Sequence, residues 1–314
     1  MPEDYKLDVE AQVRADELLP SANLANRYLV GADLSRRDLA EANLSGANLR
    51  NANLCSAVLA GAILTETSAQ GAVMREISLE NAELSEALLV SCDLTGANLK
   101  GANLAQANLT RAKLTRANLT GANLSGAKLT EADFTGAVLT SVDLSSATAP
   151  GAILRDVIME GSNARLADFS ECDLTGAKAP KASFERAALT RARFDQTAAQ
   201  GAVFELADFR GALMRKTNFT KANFIGAALS GARAVDCDFR EADFCWAEME
   251  GFEMIRCNTE GARFPEKVEI AYGPKGVRPP EVKPQPLYRK AATPEERKKL
   301  LEAALEIESS SEKP

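Results

Sequence analysis

The sequence predicts an all-β solenoid, and three periodicities predict it. An apolar residue recurs at every fifth position from Leu24 to Phe264, Thr259 excepted, seen most plainly at Leu99, Leu104, Leu109, Leu114, Leu119, Leu124 and Leu129. Alanine occupies the position two before it, as at Ala97, Ala102, Ala107 and Ala112. Of the twenty glycines, all but Gly273 and Gly276 fall two residues after the apolar position. A period of five matches neither the 3.6 of a helix nor the 2.0 of a strand. On a helix it would spread leucine around the cylinder and leave no face to bury. Within one unit, though, Ala and Leu are two apart and share a side in extended chain, with Asn or Asp between them pointing out. The next Ala comes three later, so the chain must turn there, and glycine adopts the positive φ of a corner at least cost.

Residues 1–20 place Leu7, Val9, Val13, Leu18 and Leu19 among charges and end at Pro20, which predicts a short amphipathic cap. The end coil of a solenoid exposes backbone and an apolar cross-section that such a segment covers. Residues 21–264 form the array, with no slip of frame. Every Phe but Phe252 is at the apolar position, and Phe252 takes an Ala position. After Phe264 the frame is lost, with Glu269 at the next expected apolar site. Residues 265–292 are rich in proline and read as an extended linker. In 293–314, Thr293, Pro294 and Glu296 open a helix as N-cap, first-turn proline and capping box, and Leu300, Leu301, Ala304, Leu305 and Ile307 follow as an apolar stripe. A helix this short is marginal alone and calls for a surface to dock on.

The repeated unit, as in GANLK, GANLA, RANLT and EADFT, resembles the pentapeptide repeat family, A-(D/N)-L-x-x, over about four-fifths of the chain. The resemblance implies a right-handed quadrilateral β-helix. Four units would make a coil of twenty residues, and roughly twelve coils at about 4.8 Å would make a rod about 55–60 Å long. Positions twenty apart then stack, so Phe184, Phe204, Phe224, Phe244 and Phe264 become one aromatic column. Ala149, Ala164, Ala179 and Ala199 interrupt the apolar positions, while Val142 and Val157 enlarge Ala positions nearby; this reads as volume exchanged within a close-packed core, with a functional notch as the sharper alternative.

Composition removes most chemistry. There is no histidine, hence neither the commonest general base nor the commonest metal ligand. Carboxylates of the array fall on outward positions of a convex surface, and no phosphate loop, dinucleotide fingerprint or nucleophile elbow is present. Catalytic, cofactor and metal sites are therefore all expected to be absent. Cys92, Cys172, Cys237 and Cys257 fall on inward positions; Cys237 and Cys257, twenty apart, read as small apolar fillers at a separation that a disulfide would also permit. No apolar run approaches a membrane span and residues 1–20 lack a signal-peptide plan, so a soluble, cytoplasmic chain is expected.

What remains is a scaffold that binds another protein through its faces, with no nucleic-acid or membrane partner expected. The resemblance offers two rival roles: mimicry of DNA to occupy a type II topoisomerase, and an adaptor in bacterial secretion or effector loading. Mimicry needs dense acidic rows. The net charge is −7, but of 44 acidic and 37 basic side chains, 15 and 12 lie in the terminal segments, leaving the array 29 and 25. That is a poor copy of a duplex with a charge about every 1.7 Å. Apolar residues at outward positions are a better guide. Leu206, Ile225, Cys245 and Trp246 fall on two adjacent corner rows, and Val235 and Ile255 on another row of the same end. These six, with Leu300, Leu301 and Leu305 of the tail, are the candidate interaction surface. Its expected occupant is the tail itself, in the same chain or in a homodimer, favoured by high effective concentration; the alternative is a different protein.

Overall fold

A computed structural model describes residues 20–265 and the backbone of residues 271–272. The expected cap, apart from Pro20, and the expected helix over 293–314 lie outside the described residues. The described chain is a stack of twenty-residue coils. The outward residue of each unit pairs in parallel with the residue twenty further on, from Asn23↔Asn43 to Asp243↔Arg263. Four units and four corners complete one coil.

One unit shows how every N–H is spent. Asn43 donates back to Ala22 O at 2.9 Å, while Leu44 and Gly46 donate forward to Ile63 O at 2.7 Å and Thr65 O at 2.9 Å. Ala47 closes the corner onto Leu44 O at 2.9 Å. The fifth N–H, on Ser45, donates to Asn43 Oδ1 at 3.0 Å. This last bond is the physical reason for Asn or Asp in the repeat: its side chain caps the one amide that the stack leaves over. Pro150 and Pro180 stand where that amide would be, and there the outward residues are Thr148 and Lys178. Every fifth residue from Ser21 to Gly261 has positive φ, glycine or not. That is the third position of a type II β-turn, the turn that Ala47 closes onto Leu44.

Inside, the apolar and Ala columns are almost wholly buried, most at 0–1% exposure. Phe184, Phe204, Phe224, Phe244 and Phe264 stack as expected, with ring centroids 5.2, 5.0, 4.9 and 5.2 Å apart and planes within 17°. Phe219 and Phe239 begin a second stack at 5.2 Å, set edge-on to the first. Ala149, Ala164, Ala179 and Ala199 are buried, as are Val142 and Val157, and the pairings Thr148↔Asp168, Asn163↔Ser183 and Lys178↔Ala198 run past them without a break. The backbone carries no notch there, in keeping with exchanged volume.

Several polar residues that replace an inward Ala share one hydrogen bond. Thr67, Cys92, Cys172 and Thr197 each donate to the carbonyl twenty-three residues before them, at 2.7–2.9 Å, and Thr217 donates likewise to Phe194 O. That carbonyl belongs to a corner one coil earlier and has a second lone pair free. Ser162 does not make this bond: its hydroxyl is buried and has no partner among the described residues.

On one side of the last coils the pairing lengthens into true strands, β1 (Arg193–Asp195), β2 (Leu213–Arg215), β3 (Arg233–Val235), β4 (Glu253–Ile255) and β5 (Ala271–Tyr272), all parallel and in that order. Neighbours are twenty apart until β4 and β5, where Glu253 pairs with Ala271, eighteen apart. The sheet thus continues into the stretch read as linker.

Candidate interaction surface

Corners are where side chains stand furthest from the core, and the second corner residue pays for its place. Its left-handed backbone costs a residue with a side chain about 1–2 kcal/mol. Down the whole array this position holds Gly, Ser, Asn, Gln or a charged residue, with three exceptions: Leu166, Leu206 and Trp246, at φ of 60°, 57° and 62°. These three are forty residues apart, so the twenty-residue register puts them on one edge of the coil stack. The residues between them in that row are Arg186 and Gly226. Leu166 is 50% exposed and Trp246 48%. Leu206 lies over Gly226, where an added Cβ would come within 2.7 Å of Leu206 Cδ2. Glycine there lets the leucine lie flat along the edge towards Trp246.

The preceding corner row of the same edge holds Ile225 and Cys245, both half-buried. Leu206 N–H donates to Ile225 O and Gly226 N–H to Cys245 O, each at 2.9 Å, so the two rows are tied coil to coil. Burial and the neighbouring Asp243 carboxylate push the Cys245 thiol up to about 11, which keeps it neutral and apolar in character. Charge rims the patch: Arg165 faces Glu185 at 3.4 Å, and Arg263 is paired with Asp243.

Of the residues singled out from sequence, Leu206, Ile225, Cys245 and Trp246 therefore come together. Val235 and Ile255 do not join them. They stack on the corner two sides away, diagonally opposite across the coil. Leu300, Leu301 and Leu305 lie outside the described residues. Leu166 was missed, although its signal was legible: it shares with Leu206 and Trp246 the corner phase in which every other residue is Gly or polar.

Elsewhere on the surface much of the charge is paired. Acids and bases alternate along columns and pair one coil apart, as in Arg111–Glu131 at 2.7 Å, Arg256–Asp236 at 2.6 Å, Arg233–Glu253 at 3.2 Å and Arg191–Glu171 at 3.4 Å. Others pair within a coil: the Arg210 and Arg240 guanidiniums hold the Asp208 and Asp238 carboxyls below the usual carboxylate range. Each exposed pair is worth about 0–1 kcal/mol. Together they break up the acidic rows that a duplex-like surface requires. Among the described residues no three Cys, Asp or Glu side chains are placed to hold a metal ion, and no helix is long and apolar enough to cross a membrane.

The family model for pentapeptide repeats matches eight copies, over residues 21–75, 77–156 and 167–240. The chain belongs to the pentapeptide repeat family. Its coil is the right-handed quadrilateral β-helix of that family. Among solved structures, the chain is similar to HetL, a pentapeptide repeat protein involved in heterocyst differentiation regulation from the cyanobacterium Nostoc sp. strain PCC 7120, at 25% identity over 82% of this chain and 92% of that one, with a TM-score of 0.35. It is similar to QnrB1, a plasmid-mediated fluoroquinolone resistance protein, at 14% identity over 53% and 92%, with a TM-score of 0.46. A third, Rfr23 from the cyanobacterium Cyanothece 51142, is 18% identical over 47% and 90%, with a TM-score of 0.18. No curated protein sequence matches the chain.

Proposed function

We propose that this pentapeptide repeat protein is a non-catalytic scaffold that binds protein through the edge formed by Leu166, Leu206, Ile225, Cys245 and Trp246. One observation carries the reading. The three large apolar side chains in the strained corner position share a single edge. Strain held at an exposed position, where a polar residue or glycine would serve the fold better, points to a use outside the fold. A half-exposed tryptophan beside aliphatic neighbours, rimmed by paired charges, also has the make-up of an interface anchor. The occupant is the amphipathic stretch carrying Leu300, Leu301 and Leu305, from the same chain or from a second copy. Its apolar stripe needs cover, and the tether keeps it close.

The test is the emission of Trp246, the only tryptophan. Deleting residues 288–314 should shift it to the red, and the molecular mass in solution separates a self-docked tail from a dimer. No shift, together with partner capture unaffected by Trp246→Ala, would remove this edge from consideration.

A further inference from the structure

The array carries a second chemical feature, on the diagonally opposite corner and independent of the binding edge. Cys237 and Cys257 occupy the same inward position in successive coils, bracketed by the parallel pairings Val235↔Ile255 and Asp238↔Asn258. Strands paired in this way stand about 4.8 Å apart, inside the roughly 4.4–6.8 Å over which two Cα atoms accept a disulfide. Both thiols are free, and each shifts the other's ionisation. In the same column the pair follows Thr197 and Thr217, whose hydroxyls are spent on carbonyls. The thiols bond less firmly: Cys257 Sγ is 3.6 Å from both Ala234 O and Ile255 O, and Cys237 Sγ is 3.4 Å from Val235 O. Cys257 is 8% exposed against 2% for Cys237, so a small reagent reaches it first.

We propose that Cys237 and Cys257 are a modification site: a dithiol that closes to a disulfide on reaction with a peroxide and staples the last two complete coils together. The chemistry balances without further reagents. The Cys257 sulfur attacks one peroxide oxygen, the O–O bond breaks, and a sulfenic acid and one water (or alcohol) result. The Cys237 sulfur then attacks the Cys257 sulfur, the S–O bond breaks, and the hydroxyl leaves with a proton as a second water. Two thiols are oxidised and one peroxide is reduced. The two thiols ionise as a pair: the neighbouring thiol lowers Cys257 against burial, and Cys237 is raised. Its greater exposure suits Cys257 to attack and leaves Cys237 to resolve. Cys92 and Cys172 contrast with them: both are fully buried, pushed up chiefly by burial, and alone.

The sequence makes the test clean. Trypsin leaves Cys237 in peptide 234–240, Cys245 in 241–256 and Cys257 in 257–263, one cysteine each. The full-length folded protein is treated with hydrogen peroxide, its remaining thiols are alkylated under denaturing conditions, and the digest is weighed. Expected is a cross-linked pair of peptides 234–240 and 257–263, lighter than their sum by two hydrogens, lost on treatment with dithiothreitol, absent from Cys257→Ser and retained in Cys245→Ser. Peroxide that carries peptide 257–263 on to sulfinic acid without producing the cross-link would overturn the proposal. So would a cross-link that forms only after the protein is unfolded, or one that joins Cys245 instead.

Discussion

Replacing Phe224 by Ala tests the aromatic core at its centre. Phe224 is fully buried, with Phe204 and Phe244 stacked on its two faces at 5.0 and 4.9 Å and Phe209, Phe219 and Phe239 around it at 5.5, 5.3 and 6.0 Å. Truncating such a ring costs about 3–5 kcal/mol through lost burial and the cavity left behind. Two stacked partners, each worth about 0.5–1.5 kcal/mol beyond area, put the cost in the upper half of that range. Because each coil touches only its neighbours, the loss should be local and free the C-terminal coils to unfold first. Denaturant titration checks this with two probes: far-ultraviolet circular dichroism for all coils, and Trp246 emission for the end one coil away. The Trp246 transition should move to lower denaturant and separate from the dichroism transition. Phe224→Leu is the control. Leucine fills the same column at Leu24, Leu44, Leu64, Leu84, Leu104, Leu124 and Leu144, so this swap should cost less than the truncation to alanine. Unchanged transitions in the alanine variant, or equal losses in the two, would refute the stacked column as the source of stability.

Ser162→Ala should stabilise the protein by about 1–3 kcal/mol, the cost of an unpaired buried hydroxyl. Its hydroxyl has no partner and alanine is the regular occupant of the slot; a lower melting temperature would mean that the hydroxyl is satisfied after all. The pH profile should be flat between about pH 5 and 7, since there is no histidine to titrate there. Asp208 and Asp238 are held below their ordinary value by Arg210 and Arg240, so their stabilisation is present above that value and lost as pH falls through the lower folded one. Melting temperature should accordingly drop below about pH 4, and a drop already near pH 6 would contradict the assignment.

The five-residue frame was legible because burial repeats with it: Leu, Ala and Gly each mark one phase, and each phase has one environment. Closure after four corners was not, because nothing in a five-residue unit counts to twenty; the count entered with the family resemblance, and the stacked phenylalanines bear it out. The end of the sheet was misjudged because β5 returns two residues early, which no fixed frame can follow. Thr197 and Thr217 look like surface residues by type and are buried, since the carbonyl that accepts them belongs to a coil twenty-three residues back. For the binding edge, composition by phase was the readable signal. Leu166 was overlooked because attention to the C-terminal end hid a row that begins eighty residues before Trp246.

That row has a metre of its own. Its three anchors recur every second coil, so successive apolar side chains stand about 9.6 Å apart along the edge. An α-helix brings the same face round every seven residues, about 10.5 Å. A straight helix laid against the edge keeps step from Leu166 to Trp246 with a slip of about 1 Å per interval, small enough for side chains to absorb, and falls out of step over a longer run. In the helix expected over 293–314, Leu300 and Ile307 are seven residues apart. The edge is thus a ruler graduated for a short helix of two or three heptads, and it would reject an extended strand, whose alternate side chains come every 6.6 Å or so.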